Sequence, residues 1–357
     1  MPGGGVTGYA AINARVRVKY ATLLTPQDYA ALSEANDFAS LIGVLKHTAY
    51  GPYLDEVKDK DLTPRRAAFQ IRFRLADAYA SIIHMAPEHA HVLLEQRFRY
   101  FEVDNLKAVL RGIVAGASWD RVRFVLYPLG NVGVLKAQEM VESGSVAAAV
   151  ELTRGTPYFE TLSHAMRRYS AEQNIFPLEV ALDLNYWREL WRLTNRLPAD
   201  DRNQALRIVG TMLDMNNLMW AIRYRVYHHL SEEELINYTL PFGYRSRDED
   251  IRAIAAGADI PQVVKRVYPD LKDIDALLAE PRKGLPEMEL QLKRNLMKKC
   301  VTAFTGNPFH IGLPLAFLEL CELEIQDLTV LIEAKSAEVP VGDFRNYLMM
   351  GQSSRGS

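Results

Sequence analysis

An all-α chain of three similar units is the fold this sequence predicts, and three observations predict it. Long stretches rich in Ala, Leu, Arg and Glu carry apolar residues at helical spacing, and the alternation of a half-buried strand is almost absent. An eight-residue phrase occurs at Asp104-Asn105-Leu106-x-x-Val109-Leu110-Arg111, again 112 residues later at Asn216-Asn217-Leu218-x-x-Ala221-Ile222-Arg223, and in weaker form 110 residues further on at Gln326-Asp327-Leu328-x-x-Leu331-Ile332-Glu333. A second phrase keeps that step and places a tyrosine in Thr48-Ala49-Tyr50, Thr156-Pro157-Tyr158 and Arg266-Val267-Tyr268. Solenoid repeats usually run about 20–50 residues, so a period this long marks whole domains. The 357 residues therefore divide into units at 9–125, 126–238 and 239–351, after a short Gly-rich flexible arm at 1–8. Residues 352–357 have no apolar side chain to pack and read as a disordered tail or cloning remnant.

In the first unit Thr63 is an N-cap and Pro64 takes the first helical position, and the pattern runs on through Phe69, Ile71, Phe73, Leu75 and Ala78 until Pro87. Phe176-Pro177-Leu178-Glu179 and Leu285-Pro286-Glu287-Met288 hold the equivalent place in the other units, so each unit is expected to restart a helix there. Pro128-Leu129-Gly130 and Pro241-Phe242-Gly243 open the second and third units. Polar or Gly/Pro-rich composition predicts loops at 197–201, 244–250 and 280–286, the last being the longest flexible stretch.

Composition narrows the partners. Lys and Arg total 42 against 44 Asp and Glu, and a net charge of -2 gives no overall field to attract nucleic acid or an anionic bilayer. Cys300 and Cys321 are the only cysteines, without metal-ligand spacing, and read as buried thiols in a reducing compartment. Nothing at the N-terminus reads as a signal peptide, and no apolar run approaches the roughly 20 residues that span a bilayer.

Catalytic chemistry finds no foothold. A Gly-rich phosphate loop, a dinucleotide fingerprint and a nucleophile elbow are all missing from the sequence. His84, Glu88, His89 and His91 cluster, but Pro87 interrupts them and no His pair has the four-residue spacing that sets two ligands on one helix face. His228 and His229 diverge around a helix. Glu179 and Asp183 sit four apart, yet Glu179 lies in a first turn where the helix dipole favours an acid, and Asp183 is placed to pair with Arg188 or a neighbouring helix. Trp187, Trp191 and Trp220 read as core, and Arg65, Arg66, Arg72 and Arg74, flanked by Glu56 and Asp77, as a solvated helix face. No catalytic residue, cofactor or metal ligand is assigned.

The repeated phrase itself admits two readings. Asp104 and Arg111 are seven residues apart and share a helix face, a spacing kept by Asn216 and Arg223. In one reading they form a buried or half-buried clamp, the Asp or Asn bonding loop backbone while the Arg fork grips a neighbouring helix. In the other, the repeated faces meet a partner.

Two terminal blocks carry a resemblance. Tyr9-Ala-Ala-Ile-Asn13-Ala14-Arg15-Val-Arg17, then Leu23-Leu24 and Thr48-x-Tyr50-Gly51, resembles the start of the central-stalk subunit of rotary V-type and A-type ATPases, known as the C subunit in the prokaryotic enzymes and the d subunit in the eukaryotic ones. Phe309-His310-Ile311-Gly312, Ala316-Phe317, Glu322, Glu324-Ile325, Asp327-Leu328 and Ile332-Glu333-Ala334 look like its last helices. The Asp104-Asn105 phrase also fits, and the likeness spans residues 9 to about 350. It implies three helical domains in a pseudo-threefold, funnel-like arrangement and no active site. It also implies a cytoplasmic place on the membrane complex, peripheral to the bilayer. There the protein would seat the tip of the central shaft on the proteolipid ring and couple ATP hydrolysis or synthesis to ion transport. Arg15, Arg17, Tyr50, Asp104, Asn105, Arg111, Tyr158, Asn216, Asn217, Arg223, Tyr268, Glu324 and Asp327 are the structural or interface candidates. Glu333 stands where the other copies have Arg, so that Arg cannot act threefold. A soluble helical scaffold is the alternative.

Overall fold

Short polar side chains decide where the helices begin. Thr63 accepts a hydrogen bond from the Arg66 amide, and with Pro64 in the first position it starts the helix Pro64–Ile71. Thr25 and Asp28 form a reciprocal capping box ahead of Pro26–Glu34, and Ser231 and Glu234 form another ahead of Glu232–Asn237. Asp37 caps Phe38–Lys46 by accepting from the Ser40 amide at 2.8 Å. The computed structural model describes residues 6–130, 133–228 and 230–351, and no strand occurs among them. Residues 1–5 of the expected arm, His229 and the expected tail at 352–357 lie outside the described residues. Val6 already begins a helix, Val6–Tyr20, inside the expected arm.

Three long helices carry the repeated phrase. The first is Glu88–Val114 and the third is Gly312–Ser336. The second runs from Ala199–Ala205 through a π-helical turn, Leu206–Gly210, into Thr211–Val226. That turn accounts for one extra residue. Eighteen residues separate Pro87, which precedes the first helix, from Asn105, whereas nineteen separate Pro198 from Asn217.

The chain divides into two compact units, one of Met1–Tyr186 with Phe317–Ser357 and the other of Trp187–Ala316. In the first, Tyr79 packs against Phe98 and Phe101 at ring separations of 5.1 and 5.5 Å, beside the fully buried Leu106, Val109 and Leu110 of Glu88–Val114. In the second, Thr211–Val226 packs on Asp248–Ala255 and Pro281–Thr302, and Trp191 stacks on Phe242 at 5.5 Å.

Several expected boundaries move. Residues 64–83 form two helices joined at Arg72, Pro64–Ile71 and Phe73–Ile83. The loop at 197–201 shortens because a helix starts at Ala199, and the one at 244–250 ends where Asp248 starts another. Residues 280–286 are not a flexible loop at all. Pro281 opens the helix Pro281–Thr302, which carries Pro286 inside it and forgoes one backbone hydrogen bond there. A Cβ on Gly284 would lie 1.8 Å from the Leu277 carbonyl oxygen, so glycine is what lets this helix turn back against Ile274–Ala279. Residues that read as breakers serve here as a helix start and a close-packing point.

Candidate functional site

The second residue of the repeated phrase does the same thing three times. Asn105 accepts the Tyr127 amide at 2.7 Å and donates to the Tyr127 carbonyl at 2.9 Å. Asn217 accepts the Leu240 amide and donates to the Leu240 carbonyl, both at 2.8 Å. A carboxylate has no donor, so Asp327 instead accepts two successive amides, Met349 at 2.8 Å and Met350 at 2.7 Å. In each case a side chain on a long helix pins chain that follows it, 22 or 23 residues on. Leu106, Leu218 and Leu328, one position further, are wholly buried.

An acid three residues earlier completes the clamp. Glu102 accepts from the Val134 amide and, at 2.6 Å, from the Tyr158 hydroxyl. Asp214 accepts from the amides of Tyr244 at 2.8 Å and Arg245 at 2.7 Å, and from the Ser246 hydroxyl at 2.8 Å. Tyr268 lies beside it, donating to the Thr211 carbonyl at 3.4 Å. Gly243 is required here, because a Cβ would fall 2.5 Å from a carboxylate oxygen of Asp214. Glu324 accepts from the Leu24 amide at 2.6 Å and the Tyr50 hydroxyl at 2.8 Å, and pairs with Arg74 at 3.2 Å. The third copy is therefore finished by residues from the start of the chain. Burial, and then the charge of the acid, raises the pKa of Tyr50 and of Tyr158 far above the phenol range, so these hydroxyls act only as neutral donors.

The remaining candidates spread outward. Asp104 does not pair with Arg111: it meets Lys107 at 2.9 Å, while Arg111 is 59% exposed and reaches Glu179 on Phe176–Arg196 at 2.5 Å. Arg223 makes the matching contact with Glu289. The expected Asp104–Arg111 clamp is thus replaced by Asn105 inside and an Arg–Glu bridge outside. Asn216 turns back onto its own helix, donating to the Met212 carbonyl at 2.8 Å. Arg15 is exposed and donates to Ser81 at 2.7 Å, and Arg17 is exposed on the same helix. Glu179 and Asp183 are both engaged by cations, Asp183 by Lys107 at 2.8 Å, which removes them as an acid/base pair. His89 meets the Tyr9 hydroxyl at 3.1 Å, and His91 the Ile83 carbonyl at 3.0 Å. No group of His, Cys, Asp and Glu among the described residues could hold a metal ion. Cys300 and Cys321 are buried thiols, as expected.

Sequence reading passed over Glu102 and Asp214, although an acid precedes the phrase by the same two positions in Glu102-Val-Asp104, Asp214-Met-Asn216 and Glu324-Ile-Gln326. It also passed over a buried triad in which Arg97 donates to Glu319 at 2.9 Å and to Glu322. One arginine cannot neutralise two buried carboxylates, and burial with the neighbouring charge of Glu319 pushes Glu322 up to about 7.

Asn217→Ala is expected to lower stability by about 1–3 kcal/mol, because the buried Leu240 amide and carbonyl lose their partner. Arg111→Ala should change it little, since an exposed ion pair contributes little. Denaturant unfolding of both variants checks this, and equal effects would show that the amide is not the clamp.

Helical segments braced at three places by one acid, one amide or carboxylate and one tyrosine define a repeat-built, all-helical protein. A family model described as ATP synthase (C/AC39) subunit matches residues 12–347, and the chain belongs to that family. It is a non-catalytic subunit of a rotary ATPase. Similar proteins include the C subunit of the A-type ATP synthase of Methanocaldococcus jannaschii, 28% identical over 96% of this chain and 86% of that one. The C subunit of the Archaeoglobus fulgidus enzyme is 23% identical over 97% and 98%, and that of the Pyrococcus horikoshii enzyme 22% identical over 92% and 88%. No helix among the described residues is long and apolar enough to cross a membrane.

Proposed function

We propose that the chain is a rotor socket, seated on the proteolipid ring and receiving the tip of the central shaft, so that shaft and ring turn together. The observation that carries this reading is the thrice-repeated clamp, whose third copy uses Glu324 from near the end of the chain and Leu24 and Tyr50 from near its start. Three helical units, at 9–125, 126–238 and 239–351, would then lie around a pseudo-threefold axis, and one chain would present a full circle to a ring. Buried clamps suit a part that transmits torque, because each cross-link resists shear between a long helix and the segment it pins. The exposed bridge of Arg111, the half-buried bridge of Arg223 and the exposed Arg15 and Arg17 are the candidates for outward contact. Partners are the shaft subunits and the ring, and the place of work is the cytoplasmic side of the complex.

A joint that does not slip calls for an interface of about 1,000 Å² or more, with charged contacts against rotation. Shaft subunits reconstituted with this chain should therefore give one copy per shaft by native mass spectrometry, with the complex weakening as salt rises. Two copies per shaft would end the socket reading.

A further inference from the structure

We propose that a cavity of about 380 Å³ in the Trp187–Ala316 unit is a binding site for a small phosphate-bearing anion. Its walls carry four cations, Arg207, Arg245, Lys298 and Lys299, and no acidic side chain lines it. The chain as a whole has a net charge of -2, so this is a local concentration of positive charge. Arg207, Arg245 and Lys298 form no ion pair among the described residues, whereas Arg111 and Arg223 each find a glutamate. Lys299 has only a neutral partner, the Thr211 hydroxyl at 2.7 Å. Burial first, and then the charge of Arg245, holds its pKa below the usual lysine value. Four cations without an ion pair surround one hollow, with Asp214 and Asp270 acting on Lys299 from outside its lining, and an anion entering it would relieve their mutual repulsion.

The walls are also built to stay put. Arg207 belongs to the π-helical turn Leu206–Gly210, the one added residue that sets this long helix apart from Glu88–Val114, and such turns recur at functional sites. Arg245 stands on a loop whose Tyr244, Arg245 and Ser246 amides all donate to Asp214, at 2.8, 2.7 and 3.3 Å. The clamp acid of this repeat thus fixes the backbone that presents the arginine. Asn295, also in the wall, has a buried side-chain oxygen with no hydrogen-bond partner among the described residues, an acceptor for a ligand hydroxyl or a P–OH group. Two guanidinium forks and two ammonium groups match phosphate oxygens in the manner of other phosphate sites. This inference does not depend on the socket reading.

The shared chemistry, a phosphate group, has two sources, a free phosphate and a lipid headgroup, and the experiment separates them. Calorimetry of the full chain with pyrophosphate at fixed ionic strength tests the first. Flotation with phosphatidylcholine vesicles, with and without phosphatidic acid, tests the second. Saturable single-site pyrophosphate binding, weakened about tenfold or more by Arg245→Gln and by Lys298→Gln, assigns a free phosphate ligand. Phosphatidic acid-dependent flotation lost in the same variants, without pyrophosphate binding, assigns a headgroup. Lys283→Gln removes one charge from an exposed lysine outside the cavity and serves as the control. Circular dichroism melts establish that all three variants fold. Binding in neither arm, or equal loss in the Lys283 variant, overturns the proposal.

Discussion

Glu324→Ala should be among the most damaging single substitutions in this chain, lowering stability by about 3–5 kcal/mol. The carboxylate has no exposed surface and serves the Leu24 amide, the Tyr50 hydroxyl and Arg74 together. Its loss strands a guanidinium that is itself only 9% exposed. Glu324→Gln keeps shape and one acceptor, so it should fall between wild type and Ala. Hydrogen exchange would localise the damage, with faster exchange at Leu24 and around Tyr50. Uniform loosening, with no preference for residues 24–74, would mean that Glu324 is not the tie between the two ends.

Arg97→Ala should cost a similar amount at pH 7.5 and less at pH 5. Removing Arg97 leaves Glu319 and Glu322 facing each other in the core, and protonation at the lower pH partly relieves that. Wild type should show a weaker trend of the same sign. Burial raises Glu322 from 4.5 to about 7 and Asp327 from 3.8 to about 6. The folded protein then holds these protons more firmly than the unfolded chain does. The stabilisation is complete below about pH 4 and is lost as pH rises through about 6 and 7. Urea midpoints measured across that window would show it, and Glu322→Gln should flatten its upper part. A variant at Arg97 whose penalty is the same at both pH values would exclude protonation of Glu322 as the source of the pH dependence.

Much of the framework was legible in the sequence, and the reason is local. An N-cap or a buried leucine leaves its mark within a few residues, so Thr63-Pro64 and the series Leu106, Leu218 and Leu328 could be read directly. The three tyrosines were legible as a repeat, but their partners were not. Tyr158 bonds to Glu102 at a separation of 56 residues and Tyr50 to Glu324 at 274, and no pattern within a window connects them. The phrase pointed to Asp104, whereas the fold uses Asn105, because which of two adjacent polar residues faces inward depends on helix packing that sequence spacing leaves open. Residues 280–286 misled for a different reason: proline and glycine mark turns on average, and here Gly284 serves a close backbone approach instead.

The contact between Glu324 and Leu24 also sets an order of events during synthesis. Three hundred residues separate them, and Lys335 reaches the Ser33 carbonyl across 302. A chain emerging from the ribosome at about 5–20 residues per second must leave residues 24–33 without these partners until residues 324–335 have been made. Contacts this distant in sequence are slow to form and expose apolar surface meanwhile. A truncated product would therefore lack the partners of its own beginning as well as its end. The segment around residues 24–33 is tied down only when the segment around residues 324–335 has reached it.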